Sequence, residues 1–267
     1  MLTNLTYLYL LSPLHTGGTT QEGNLLGIAR ESHTTFPYIP SSSIRGRLRA
    51  SFTNQEEKYQ LFGNEIESGE SLTQGDLWIG DGSILWLPIP SLSHGVIWIS
   101  CPLLLQRWAR FQYPDLTLPP PNQTNLDVSK SIYLKDAIFK PGDLQTWNDY
   151  QQWIPHHSTT SLITRVLVLS DRDCATLIQM GLWRQVRVKL SEHKSVEKGS
   201  FRYEEAIPPD TLMFFPWGTT TQANGTSADS RTQLQEFLTQ QEILQIGGQE
   251  SLGRGFVQAF STQGAAS

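Results

Sequence analysis

The chain has 267 residues, 38% of them hydrophobic and 17% charged, with a formal net charge of −5 at pH 7. That length suits one large domain with a substantial core, and the acidic balance excludes a generally basic nucleic-acid coat while leaving room for a local basic groove. Two cysteines, Cys101 and Cys174, exclude a disulfide framework or a cysteine-rich zinc site and fit a reducing, cytoplasmic setting.

The N-terminal apolar run breaks at Pro13, is too short to span a bilayer and lacks the basic flank of a signal peptide, so no membrane segment is expected. It reads as a buried strand, with Leu5, Tyr7, Tyr9 and Leu11 on one face and Leu8 and Leu10 on the other. A glycine- and threonine-rich loop, His15–Gly23, precedes a short edge element at Leu25–Ala29. Phe36–Pro40 reads as an extended turn into Ser41-Ser42-Ser43, an N-cap signal, after which Ile44, Leu48 and Phe52 recur at helical spacing. Strands are expected at Leu77–Ile79, Ile84–Ile89 and Val96–Ser100, the first two joined by a hairpin turn at Asp81-Gly82.

A helix at Leu103–Arg110 leads into a proline-rich excursion, and residues 126–160 read as a polar, aromatic insertion of weak regular structure. From Arg184 the chain alternates, with Val186, Val188 and Leu190 on one side and Arg187 and Lys189 on the other. Ser191–Gly199 turns and Phe201-Arg202-Tyr203 returns, giving a β-hairpin with a charged outer face. Leu212–Phe215 reads as a strand, Thr219–Ser230 as a mobile loop, Leu234–Ile246 as a helix closed by Gly247-Gly248, and Phe256–Phe260 as a final strand.

Charge is concentrated in two places. Residues 27–50 carry Arg30, Arg45, Arg47 and Arg49 against Glu31, and residues 184–202 carry Arg184, Arg187, Lys189, Lys194, Lys198 and Arg202 against Glu192 and Glu197. Such runs are usually solvated faces; set on an acidic body they also suit a polyanion track. The sharper local signal is Ser42-Ser43-Ile44-Arg45-Gly46-Arg47-Leu48-Arg49, where a helix N-terminus favours an anion, Arg45 and Arg49 share a face, and Gly46 costs about 1 kcal/mol inside a helix. Gly253-Arg254-Gly255 is neither a Walker A loop nor a dinucleotide fingerprint, because it precedes a strand; it reads as a turn whose backbone could pack on a phosphate chain, with Arg254 as partner. The six histidines lack zinc-ligand spacing, so no metal site is expected. His15 reads first as a loop-stabilising residue.

Taken in order, Ser12-Pro13-Leu14-His15-Thr16-Gly17, Arg30-Glu31-Ser32-His33-Thr34 before Phe36–Pro40 and the Ser42–Gly46 turn, Trp98 with Cys101-Pro102, Glu197-Lys198-Gly199 through Tyr203-Glu204-Glu205 and Pro208-Pro209, and Leu252-Gly253-Arg254-Gly255 form a set. This set resembles the RAMP superfamily of CRISPR effector subunits, and within it the repeated backbone subunits of type III-B complexes. The likeness covers nearly the whole chain apart from residues 110–160 and 219–233. It implies an α+β fold over residues 1–267: an RRM-like (ferredoxin-like) palm with an insertion at about 110–160 and a protruding β-hairpin thumb at about 184–205. It further implies copies stacking into a helical filament on a CRISPR guide RNA, with complementary target RNA and other type III effector subunits as partners and the thumb segmenting the guide–target duplex. The family's guide-backbone contacts carry onto Ser42, Ser43 and Arg45; charge and position add Arg47, Arg49, Arg187, Lys189, Gly253 and Arg254.

The family also includes subunits that cut target RNA with Mg2+ or Mn2+ and a loop aspartate. At the matching place this chain has Asn24-Leu25, and no aspartate occurs from Met1 to Gly75. His15 and Glu22 are the remaining catalytic candidates. Leucine cannot hold a cation and asparagine is a poor base, so loss of cleavage is expected ahead of its retention. An unrelated carbohydrate or protein binder built on the eight tryptophans is the competing class.

Overall fold

The computed structural model describes residues 4–18, 21–22, 25–65, 72–113, 115–197, 199–221 and 226–262; the side chains of Gln21 and Glu22 are outside that description. In chain order the principal elements are β1 (Asn4–Leu10), α1 (Ser41–Ser51), α2 (Gln55–Phe62), β2 (Gly82–Ser91), β3 (Gly95–Ser100), α3 (Pro102–Gln112), β4 (Val166–Val168), α4 (Asp171–Gly181), β5 (Trp183–Arg187), β6 (Arg202–Ala206), β7 (Leu212–Thr219), α5 (Ser227–Gln240), β8 (Ile243–Gln245) and β9 (Phe256–Phe260). The protein is α+β, and one large mixed sheet organises it.

β1 is the centre of that sheet. It pairs antiparallel with β7 on one side and β9 on the other, and β7 pairs antiparallel with β2. The four strands stand in the order β9-β1-β7-β2, with α1 between β1 and β2 in the chain and α5 between β7 and β9. Alternation in β1 works as its sequence dictates. Leu8 and Leu10 join one core with Ile44 and Leu48 of α1 and Leu234 and Leu238 of α5. Leu5, Tyr7 and Tyr9 face the opposite core, and the strand ends before the exposed Leu11.

That second core draws in part of the insertion. Its regular structure is indeed short, but Trp147 and Trp153 pack with Trp86, Leu105 and Trp108 over the sheet, and Trp86 Nε1 donates to the Trp153 carbonyl at 2.9 Å. The segment between α3 and β4 is therefore a lid on the sheet. Six of the eight tryptophans are buried, which removes the tryptophan-lined binding surface.

Three local expectations fail for physical reasons. Asp81-Gly82 does not close a hairpin: Leu77–Ile79 pairs with Trp217–Thr219 and β2 with Leu212–Phe214, so both lie along β7. Asp81 instead accepts the Ser41 N–H at 2.6 Å and caps α1, whose own serines make no cap bond. The C-terminal helix ends at Gln240, and the chain enters β8 before Gly247, so the glycine pair is a strand-edge turn. The Thr219–Ser230 loop is partly helical from Ser227, and its residues 222–225 lie outside the described ones.

β5 and β6 form the expected hairpin, pairing from Trp183↔Ala206 to Arg187↔Arg202. β6 also pairs in parallel with Leu25–Leu26, which pairs with Gln21–Glu22, so the N-terminal loop is stitched to the base of this arm.

Candidate nucleic-acid interface

The arm inverts the usual distribution of side chains. Val186, Val188, Leu190, Val196, Phe201 and Tyr203 are all exposed, between 39% and 52%. Val186 lies opposite Tyr203, so these two apolar residues share one face of the hairpin, while Arg187 and Arg202 share the other. Arg187, Val188, Lys189, Ser200 and Arg202 line a concavity of about 300 Å3. The outer face is thus charged, as the alternation predicts; the apolar face is equally open. Lys198, at the turn, lies outside the described residues.

The charges are anchored from within. Glu204 and Glu205 are fully buried, and five arginines reach them. Arg187 Nε lies 2.8 Å from Glu204, Arg254 3.2 Å from the same Oε2, and Arg202 Nε 3.2 Å from Oε1 without hydrogen-bond alignment. Glu205 holds Arg30 at 2.5 Å and Arg184 at 2.9 Å. This hub was invisible to a count of charge along residues 184–202, which stops two residues short of it. Lys189 pairs with Glu197 at 2.9 Å and remains largely exposed.

On α1, Ser42 and Gly46 are exposed, and a Cβ on Gly46 would meet nothing within 4 Å. No packing among the described residues therefore requires that glycine. Arg45 donates to the Phe62 carbonyl at the end of α2 and lies 5.9 Å from the Phe62 ring; burial, with Arg49 nearby, draws its pKa below the ordinary value. Arg49 pairs with Glu65 at 3.2 Å. Arg47 Nε is buried without a hydrogen-bond partner among the described residues. The helix end that was to receive an anion already holds the Asp81 carboxylate, which displaces the phosphate expectation from the first N–H to the arginine side.

The remaining candidates are placed less openly. Arg254 is 3% exposed, its guanidinium 4.7 Å over the Trp183 ring and bonded to Gln185 and Gln249, so it points inward. Burial, partly offset by Glu204, lowers its pKa. Gly253 is exposed in a left-handed turn at φ 72°. His15 is buried, with Nδ1 2.9 Å from the Glu205 carbonyl, which is the loop-stabilising role. Glu22 sits in the short strand against Leu25, and Asn24 lies outside the described residues. Glu31, the other nearby acid, is consumed by a two-pronged Arg107 contact at 2.7 and 3.0 Å and by Thr34; burial raises its pKa, but these bonds outweigh it and hold the carboxyl below the usual value. Among the described residues no group of three or more His, Cys, Asp or Glu could hold a metal ion. No described helix is long and apolar enough to cross a membrane.

The sequence profile of the RAMP superfamily matches residues 7–258. The chain is 29% identical to the CRISPR system Cmr endoribonuclease Cmr4 of Pyrococcus furiosus, over 95% of this chain and 93% of that protein. Its fold is similar to the crystal structure of oligomeric Cmr4 from Pyrococcus furiosus, with a TM-score of 0.69, 23% identity and 96% of each chain covered. It is also similar to a chain in the cryo-EM structure of the type III-B Cmr-beta complex bound to cognate target RNA, with a TM-score of 0.75, 19% identity, and 97% and 96% of the two chains covered.

Proposed function

Since the chain belongs to the RAMP superfamily, we propose that it is an RNA-binding backbone subunit of a type III-B CRISPR effector, acting in the cytoplasm with copies of itself and other subunits of the complex. The order β9-β1-β7-β2, with one helix after β1 and one after β7, is the βαββαβ pattern of a ferredoxin-like palm, and the β5–β6 hairpin is its thumb. An RRM stacks bases on aromatic residues of its open sheet face. Here that route is closed, because helices cover one face and α3 with the tryptophan lid covers the other. Guide and target RNA then run along the arm and the exposed side of α1.

The observation that carries this reading is the arm: a hairpin with an open apolar face and an open cationic face. Cations contact phosphates, an apolar face supports unstacked bases, and base pairing between guide and target reads sequence. Ser42, Ser43, Arg45, Arg47 and Arg49 hold the guide backbone, and Gly46 lets it approach α1 closely. Arg187 and Lys189 line the arm's concavity. The test is purification of the assembled complex from its own operon. A bound small RNA whose affinity falls uniformly across sequences with Arg45→Ala or Arg47→Ala fits the reading; a preparation free of RNA ends it.

A second reading, that this subunit also cuts target RNA, is favoured by the name of the Pyrococcus relative, an endoribonuclease. It is tested with labelled complementary RNA and Mg2+ or Mn2+. Periodic products that vanish with Glu22→Ala would establish it; intact target leaves the binding role alone.

A further inference from the structure

The two glutamates of β6 face opposite ways. Neighbours along a strand alternate, and residues directly opposite across a hairpin share a face. Gln185 lies opposite Glu204, and Arg184 opposite Glu205. One face of the arm's base therefore carries Trp183, Gln185 and Glu204, and the other carries Arg184 and Glu205. Among the described residues a single arginine from outside the hairpin reaches each face. Arg254 comes from the C-terminal side of the chain and touches all three residues of the first face: the Trp183 ring at 4.7 Å, Gln185 at 3.2 Å and Glu204 at 3.2 Å. Arg30 comes from the N-terminal side and holds Glu205 at 2.5 Å, while its Nε donates to Gln179 of α4 at 3.0 Å.

We propose that Arg30 and Arg254 are positioning residues that clamp the arm from its two faces, through Glu205 and Glu204, and fix its angle to the palm. Each jaw is tied to the palm behind it. The Arg254 carbonyl accepts from Gln245 of β8 at 2.9 Å, and β9 begins two residues later. The turn is held so tightly that a Cβ on Gly255, at φ +78°, would lie 1.9 Å from the Ile246 carbonyl oxygen. Gly255 is thus explained by close approach of the chain to itself, and Arg254 by its inward aim, with no phosphate needed for either. The Arg30 jaw is backed by α4 and by its own bond to the Ile28 carbonyl at 3.1 Å. Nothing else ties so many cations to buried carboxylates in the described residues. Arginines of the hairpin itself also pair with these carboxylates, Arg187 and Arg202 with Glu204 and Arg184 with Glu205, so what the jaws add is the tie to the palm. Clamping itself does not depend on the RNA reading; its consequence, a fixed presentation of the arm to a guide–target duplex, rests on it.

The test is hydrogen exchange on the full chain with two variants, Arg254→Met and Arg30→Met. Each removes one jaw and leaves its carboxylate paired within the hairpin, Glu204 with Arg187 and Arg202 and Glu205 with Arg184, so no buried charge is left unpaired. The clamp predicts roughly tenfold faster exchange at the arm base, Trp183–Arg187 and Arg202–Ala206, in either variant, with β1 and β7 unchanged. Unchanged exchange at the arm base in both variants overturns the clamp. So does acceleration spread equally over β1 and β7, which would mark loss of the whole fold. RNA binding supplies a separate readout: Arg254→Met leaves the slope of log affinity against log salt unaltered, whereas a drop of about 0.7 marks a phosphate ligand and overturns the assignment of Arg254. If the protein binds no RNA, the functional reading fails while exchange still decides the clamp.

Discussion

The central sheet and the arm solve opposite problems with the same residue types. In the sheet, Tyr7, Trp86 and Phe214 are fully enclosed between a helical layer and the tryptophan lid. In the arm, Val188, Phe201 and Tyr203 stand in solvent while Glu204 and Glu205 are sealed at its base. Apolar burial stabilises the first; the second exposes apolar surface, which lowers stability and serves only a surface meant to be covered. Stability therefore resides in the sheet; on the proposed reading recognition resides in the arm, and the charged joint between them is then rigid without being apolar.

The largest effect that would sharpen this contrast is in the sheet. Trp108 sits in the second core and donates to the Tyr7 hydroxyl at 2.9 Å, and the same environment pushes the Tyr7 pKa up to about 12, chiefly through burial. Trp108→Ala is expected to cost about 3–5 kcal/mol in denaturant unfolding, by cavity formation and loss of that bond. A loss below 1 kcal/mol would mean the lid is loosely packed and the sheet face is accessible after all. On the arm, Tyr203→Ser and Val188→Ser should leave unfolding within about 0.5 kcal/mol of the parent, because neither side chain is enclosed. The same two changes should weaken capture of target RNA by the assembled complex by about 1–3 kcal/mol if unstacked bases rest on that face. Equal losses in stability and capture would erase the division between the regions. A smaller effect is expected on α1: Arg47→Ala should lower the salt slope of guide binding by about 0.7, the share of one phosphate on a single strand. An unchanged slope would move the guide off α1 and leave the arm as the only RNA surface.

What was legible in the chain follows the range of the interactions. The two-faced burial of β1, the Ile44/Leu48 stripe and the alternation of the arm are written in neighbouring residues, and each stands as read. The family pattern was legible too, because its motifs keep their order. Elements tied by distant partners were not. α2 and α4 went unread although Asn54 and Ser170 each cap a helix with a side-chain oxygen. The Asp81 turn carries a hairpin signal, but its carboxylate is spent on a helix 40 residues away in the chain. Arg254 and Arg30 look alike in sequence to any surface arginine; only the folded chain brings them to opposite sides of Glu204 and Glu205.

The last and smallest expectation concerns acid. Glu31, next in the chain to Arg30, joins the loop after the N-terminal edge strands to α3 through Arg107. Burial acts to raise its pKa, but the Arg107 and Thr34 bonds prevail and hold the carboxyl below the ordinary value of 4.5. A depressed folded pKa means that the unfolded chain takes up the proton first. The stabilisation is therefore complete above about pH 4.5 and drains as pH falls toward the folded value. Glu31→Gln should accordingly lower stability near neutral pH while flattening the acid limb of the unfolding curve below that point. The arm's exposed concavity should be indifferent to this change, since Arg187 and Lys189 take their anchoring from Glu204 and Glu197. An acid limb as steep in Glu31→Gln as in the parent would mean that the Arg107 and Thr34 bonds do not carry the acid sensitivity, and that this tie between the loop and α3 is spent on geometry alone.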